Sequence, residues 1–204
     1  KQPDTTTFII MAVSSISIYF VSGARWKHIF AICVIGLVGL AILISFRPYI
    51  KERLMTFFDS TRDPQGSSYQ IQQSLIAIGS GEIFGRGLGQ SVQKFNFLPE
   101  PIGDSIFAII GEELGFVGGT VIVLLFLLFG LRGLKIASHA KDTFGIYLAV
   151  GIITLIIAQS FINIASLIGI FPLAGVPLVF ISHGGTALLF ALAEVGIVAN
   201  ISRK

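Results

Sequence analysis

Four stretches of the chain, residues 5–24, 29–46, 114–131 and 143–193, contain no Asp, Glu, Lys or Arg. A helix needs roughly 20 mostly apolar residues to cross the hydrocarbon core of a bilayer. The first three stretches are one span each, and the fourth is long enough for two with a break. The pattern predicts an all-α integral membrane protein: a multi-pass helical bundle of five transmembrane helices at about 6–22, 28–46, 108–131, 143–168 and 186–201. Between the second and third spans lies a large loop at about 47–104.

That loop is too long and too patterned to be a slack connector. KERLMTFF, residues 51–58, places Leu54, Phe57 and Phe58 on one side and Lys51, Glu52 and Arg53 near the other. It reads as a short interfacial helix. DSTRDPQGSS is turn chemistry, and YQIQQSLIAIGSG is a weak helix with Gln70, Gln72 and Gln73 at its start. Gly85, Gly87 and Gly89 then follow in GEIFGRGLGQ. Backbone N–H groups in such a run can close on an anion. The spacing is neither a P-loop nor a dinucleotide fingerprint, so tight turns at a membrane surface explain it equally. Arg86 and Lys94 nearby favour an anionic partner.

Composition agrees with the membrane reading. Hydrophobic residues make up 53% of the 204, and charged residues 12%, against about 25% in soluble domains. The net charge of +3 is no signal for nucleic acid, because the basic residues sit between spans. Cys33 is the only cysteine and lies within a span, which excludes an internal disulfide and a cysteine metal site. The first residue is Lys beside an oily segment, so a longer parent protein is expected. There are no internal repeats.

The basic residues also predict an orientation. Arg25, Lys27 and His28 lie in the first short link, Arg132, Lys135, His139 and Lys141 lie between the third and fourth spans, and Arg203 and Lys204 close the chain. Short basic links face the cytoplasm. The C-terminus is then cytoplasmic, and the 47–104 loop and the 171–185 region are extracytoplasmic. Arg47, Lys51, Arg53 and Arg62 oppose this, but long loops translocate largely regardless of charge.

The candidate chemistry clusters toward that outer side. Asp104, in FLPEPIGDSIF, stands directly before a long apolar run. It is placed to cap the helix by accepting from its first N–H groups, a role compatible with holding a carboxylate at the water–membrane boundary. Glu112 and Glu113 lie about two turns into the apolar helix. An ionisable group at membrane depth is a functional candidate, and pairing with Arg86 or Lys94 is the structural alternative. Two adjacent carboxylates are not expected to point the same way. Glu194 reads as interfacial, and no His, Asp and Glu group has metal-ligand spacing. In IGIFPLAGVPLVFISHGGTA, Pro172, Gly175, Pro177, Gly184 and Gly185 break an oily run. Broken backbone at membrane depth belongs where it lines a cavity or is buried in protein. Asn163 precedes this region and His183 lies within it, which suggests a polar-lined, outward-facing cavity.

These residues resemble a known family. GSGEIFGRGLGQSVQKFNFLPEPIGDSIFAIIGEELGFVG, QPDTTT, SSYQIQQSLIAIGSG and AGVPLVFISHGGTA, in this order, are similar to motifs of the SEDS proteins, the peptidoglycan glycosyltransferases of shape, elongation, division and sporulation. The division branch is the nearest. Family members have about ten spans, so the chain resembles the C-terminal half. It departs from the family where Thr6 replaces Gly, where Ile102-Gly103-Asp104-Ser105 replaces His-Thr-Asp-Phe, and where Ala174, Val179 and His183 replace Thr, Pro and Tyr.

The resemblance implies polymerisation of lipid II in a bacterial plasma membrane. Asp104 matches the family's general base. Lys94 and Arg86, with the glycine-rich loop, would stabilise the leaving pyrophosphate. Glu100, Gln73, Glu112, Asn163 and His183 complete the expected substrate-binding set. The resemblance fixes no cofactor; a divalent cation would also serve the leaving group, although nothing in the sequence forms a site for it. The implied partners are a class B penicillin-binding protein and other division or elongation membrane proteins. Two other readings are a lipid II flippase, which would need a polar path across the bilayer, and an inactive scaffold for a transpeptidase. The outward clustering of polar residues favours the polymerase. The 204 residues alone are expected to be inactive.

Overall fold

The computed structural model describes residues 4–46, 48–58, 66–95 and 97–203. The described residues form seven helices and no strand: α1 Thr5–Val21, α2 Trp26–Phe46, α3 Pro48–Phe58, α4 Ser67–Ser80, α5 Ile106–Ser138, α6 Thr143–Leu167 and α7 Gly185–Ile201. α2, α5 and α6 are long and apolar enough to cross a membrane. α1 and α7 are apolar helices of 17 residues each, at the short end of the spanning range. α3 and α4 are the two short helices expected within the long loop. Gln2, Pro3, Arg47 and Arg62, and most of the DSTRDPQGSS turn, lie outside the described residues.

α6 is the centre of the bundle. Its buried positions, among them Ala149, Ile153, Ile156, Ser160, Asn163 and Leu167, recur at helical spacing. Lipid tails are as apolar as leucine, so close packing and polar ties hold such helices together. The Ser14 hydroxyl donates to Gly151 O across 2.8 Å, tying α1 to α6. Gly130 and Gly133 of α5 let Ile157 and Ile153 of α6 approach its backbone. α2 has no buried window and is apolar on every side, as a lipid-facing span would be.

α5 is longer than the apolar run predicts, reaching Ser138 rather than about 131. Arg, Leu, Lys and Ala propagate a helix well, so it continues through Arg132 and Lys135 into what reads on paper as a link. It is also interrupted: Gly115 has φ 67° and ψ −165°. Residues 82–87 pair with the break through main-chain hydrogen bonds. Arg86 N donates to Glu112 O, Gly87 N to Glu113 O, Phe116 N to Glu82 O and Val117 N to Ile83 O. The glycine-rich segment thus supplies partners for groups that the break frees, which lets irregular backbone sit against a membrane helix.

Candidate functional site

The segment 98–105 leads into the N-terminal end of α5, and Leu98 anchors it in a core with Ala77, Ala108 and Ile109. Glu100 O accepts from Gly103 N at 3.1 Å and Ser105 N at 3.2 Å. That tight turn holds Glu100 at φ 45°, a left-handed conformation few non-glycine residues adopt. The cap of α5 is Ser105, and no side chain makes a capping hydrogen bond there. Asp104 is therefore not the cap expected from the sequence. The helix starts one residue later, and the carboxylate is left for other work.

Three polar contacts fasten this turn to the bundle. Asn163 Nδ2 donates to Asp104 O and to Val176 O, each at 2.7 Å. The Ser182 hydroxyl donates to Gly103 O at 2.7 Å and accepts from Leu178 N at 2.7 Å. His183 N donates to Ile102 O at 2.8 Å. The broken 171–184 region and the Asp104 turn are thereby one unit. On the other flank, Gln70 Nε2 of α4 donates to the Ser105 hydroxyl at 3.0 Å, which donates to Pro99 O at 2.9 Å. Gln73 stands half-buried on α4 and makes no hydrogen bond to the Asp104 turn.

The Asp104 carboxyl is half-buried, and its pKa is raised above the ordinary carboxylate value. Desolvation is the main cause and the Glu100 charge the second, while Arg53 of α3 opposes both. A Cβ at Gly175 would stand 3.5 Å from Asp104 Oδ2 and 4.0 Å from Arg53 Nη2, so acid and cation flank this glycine. Arg53 also helps lower the pKa of Asp4, the α1 cap, whose main cause is the Thr7 side-chain hydrogen bond. Beside Arg53, an apolar cavity of about 270 Å³ opens among α1, α2, α3 and the 171–173 segment, lined by Ile9, Leu40, Ile44, Phe57 and Phe171. A cation in the wall of an oily cavity suits an amphiphile with an anionic head.

About two turns further along α5, roughly 12 Å at 1.5 Å per residue, a second cluster is closed on itself. Glu112 is fully buried. It accepts from the Ser91 hydroxyl at 2.6 Å, Val92 N at 3.1 Å and Gln93 N at 3.3 Å, and faces Arg86 Nη1 at 3.5 Å. Glu113 accepts from Gly89 N at 2.9 Å, Ser91 N at 3.3 Å and Lys94 Nζ at 2.8 Å. The glycine-rich loop does cradle anions, but they are the chain's own carboxylates. Both acids turn to the same loop, contrary to the expectation from their adjacency, because residues 86–94 wrap around the helix. Glu112 is spent on that loop rather than open to a ligand. Among the described residues, no three His, Cys, Asp or Glu side chains converge as a metal site.

Asp104, Glu100, Asn163 and His183 are thus brought together, whereas Arg86, Lys94 and Glu112 form the neighbouring clasp. Sequence reasoning missed Arg53, Gln70 and Ser105 as site residues. The polar face of α3 was the only signal for Arg53.

The fold and site define a class: a multi-pass helical membrane protein whose broken extramembrane segments converge on a carboxylate at one end of a long span. The chain belongs to the FtsW/RodA/SpoVE family, described as cell cycle proteins, whose profile matches residues 1–204. It is 47% identical over 202 residues to stage V sporulation protein E of Bacillus subtilis (strain 168), covering 99% of this chain and 55% of that protein. It is 39% identical over 204 residues to a probable peptidoglycan glycosyltransferase FtsW of Geobacter metallireducens (strain ATCC 53774 / DSM 7210 / GS-15), covering 100% of this chain and 54% of that one. A solved structure described under "Structural coordination of polymerization and crosslinking by a peptidoglycan synthase complex" superposes with a TM-score of 0.74 at 25% identity, covering 99% of this chain and 56% of its own. The chain spans about half the length of these relatives.

Proposed function

We propose that these residues are the C-terminal half of a peptidoglycan glycosyltransferase that polymerises lipid II on the outer side of a bacterial plasma membrane, with Asp104 as general base. In this reading the C-terminus is cytoplasmic, and the Asp104 turn and 171–184 region face outward. The acceptor sugar hydroxyl attacks the anomeric carbon of the donor. A carbon–oxygen bond forms there, the bond to the pyrophosphate oxygen breaks, and the polyprenyl pyrophosphate leaves with the bonding pair. The hydroxyl proton passes to the Asp104 carboxylate. A sugar hydroxyl is a weak nucleophile at neutral pH, and a positioned base contributes typically 10²–10⁴-fold.

The observation that carries the reading is the half-buried Asp104 carboxyl, with its raised pKa, on a turn whose main chain Asn163 ties to α6, near the Arg53 that lines an apolar cavity. A base poised nearer neutrality accepts a proton more readily. Names given to relatives at about 40% identity support the reaction class. Arg53 is the cation best placed for developing pyrophosphate charge. Arg86 and Lys94 contribute chiefly through the clasp that shapes the loop before Asp104. A divalent cation would bind through substrate oxygens together with Asp104 or Glu100. The transpeptidase partner is a class B penicillin-binding protein, in keeping with the structural neighbour's crosslinking complex.

The test is glycan-strand synthesis from labelled lipid II by the full-length protein and by Asp104→Asn. Loss of polymer from a folded variant supports the base. Persisting polymer removes Asp104 from the mechanism, and lipid II transport without polymer favours a flippase.

A further inference from the structure

At the far end of α5, Arg132, Lys135 and His139 recur at three- and four-residue spacing and share one face of the helix. With Ile136, and with Ile201 and Ser202 at the end of α7, they line a cavity of about 330 Å³. All three basic side chains are exposed. Among the described residues no carboxylate pairs with Arg132 or Lys135. The acid nearest in sequence, Asp142, is occupied in capping α6 and accepts from Gly145 N at 2.9 Å. His139 Nδ1 lies 2.8 Å from Lys135 O. A carbonyl can only accept, so that contact calls for the hydrogen on Nδ1, and the Ser138 hydroxyl lies 3.1 Å from the same nitrogen.

The same face continues as an apolar stripe. Leu128, Leu125 and Val121 precede Arg132 at the same spacing and are exposed by 56%, 58% and 49%. The two helical pieces on either side of the Gly115 break, 106–114 and 116–132, rise roughly 12 Å and 24 Å at 1.5 Å per residue, against a hydrocarbon core of about 30 Å. The cations therefore fall in the headgroup layer opposite Asp104, with the stripe beside the acyl chains. A cationic cavity at headgroup depth, on the same helix face as an exposed apolar stripe, fits an anionic amphiphile.

We propose that this cavity binds the phosphate headgroup of an anionic phospholipid of that leaflet, with one acyl chain along Val121, Leu125 and Leu128. Arg132 offers a planar fork of donors to phosphate oxygens, Lys135 a mobile ammonium, and His139 an exposed imidazole on the same face. This site stands apart from the sugar-transfer reading and would exist whatever Asp104 does.

The experiment counts lipids retained by the full-length protein, by native mass spectrometry after titration with phosphatidylglycerol, phosphatidylcholine or inorganic phosphate. Wild type is expected to keep one phosphatidylglycerol more tightly than any phosphatidylcholine. Each surface cation contributes about a factor of five to anionic-lipid attraction, so R132Q/K135Q should weaken that binding roughly thirty-fold. R25Q/K27Q, which neutralises another basic link, should leave it unchanged. The proposal is overturned if R132Q/K135Q retains the lipid as wild type does, or if R25Q/K27Q loses it equally, which would mean diffuse surface charge. Binding of phosphate without phospholipid would also overturn it.

Discussion

Glu112 is fully buried inside the bundle, and the Ser91 hydroxyl donates to its carboxylate across 2.6 Å. Two backbone N–H groups and Arg86 complete its shell. Removing the carboxylate strands the Ser91 hydroxyl and two main-chain N–H groups, at about 1–3 kcal/mol for each buried donor, while Arg86, 43% exposed, can turn to water. Glu112→Ala should therefore destabilise by roughly 3 kcal/mol or more, Glu112→Gln by less, and Ser91→Ala by about 1–2 kcal/mol. Thermal unfolding of the purified full-length protein would rank them. A Ser91→Ala loss as large as that of Glu112→Ala would contradict a clasp centred on the carboxylate.

The raised pKa of Asp104 gives a signed pH dependence. The general base proposed for Asp104 works ionised, so on that proposal the acid limb of kcat/KM should lie above the ordinary carboxylate value. Glu100 raises this pKa and Arg53 lowers it. Glu100→Gln should therefore move the limb to lower pH, and Arg53→Gln should move it higher. Opposite movements would reverse the electrostatics, and no movement would mean that another group titrates. Stability runs the other way. An acid whose pKa is higher when folded contributes stability that is full below its unfolded value and is lost as pH rises through the folded one. At neutral pH, Asp104→Asn should leave thermal stability equal or slightly raised while activity falls by about 10²-fold or more.

The positions of the apolar helices were legible because hydropathy sums over some twenty residues and tolerates local error. Four of the five expected ranges lie within two residues of α1, α2, α6 and α7. The fifth stopped short because helix propensity carries α5 beyond its apolar run. One-residue decisions were less legible: Asp104 and Ser105 are both good cap residues, and only tertiary ties to Asn163, Ser182 and His183 place the turn. The proximity of Arg53 to Asp104 had no local signature, since the two lie on different elements far apart in sequence. Glu112 and Glu113 were conspicuous as charges in an oily run, but their shared loop depends on a helix break that Gly115 alone does not announce.

Glycines make that break testable. Gly115 holds φ 67°, and a Cβ there would drive into Gly85 N and Ile83 O. One at Gly85, φ 81°, would meet the Glu113 carbonyl. Backbone atoms cannot step aside cheaply, so Gly115→Ala and Gly85→Ala should each cost roughly 2 kcal/mol or more, combining a forced left-handed conformation with overpacking. Gly36 and Gly39 of α2 have open space around the same position. Ala there should be neutral, or stabilising by up to about 1 kcal/mol through helix propensity. Equal effects at the two pairs of sites would mean that the break is not held by the 82–87 segment.

Asn163 offers the sharpest separation of position from chemistry. Its amide nitrogen joins Asp104 O to Val176 O, while Oδ1 is buried without a hydrogen-bond partner among the described residues. Asn163→Ala would leave two carbonyls unpaired and free the Asp104 turn from α6. Asn163→Asp would be at least as damaging, because an ionised carboxylate cannot donate to either oxygen. Misplacing a reacting group by about 1 Å can cost 10²-fold, so activity should drop by about that factor in both, mostly in kcat. The acid limb should persist in whatever activity remains, since Asp104 itself is intact. Ser160 is equally buried on the same helix, but its hydroxyl bonds only to Ile156 O within α6. Ser160→Ala should leave the rate unchanged. If it lowered kcat as Asn163→Ala does, general loosening of α6 would be the cause, and the bridge would have no particular part in placing the base.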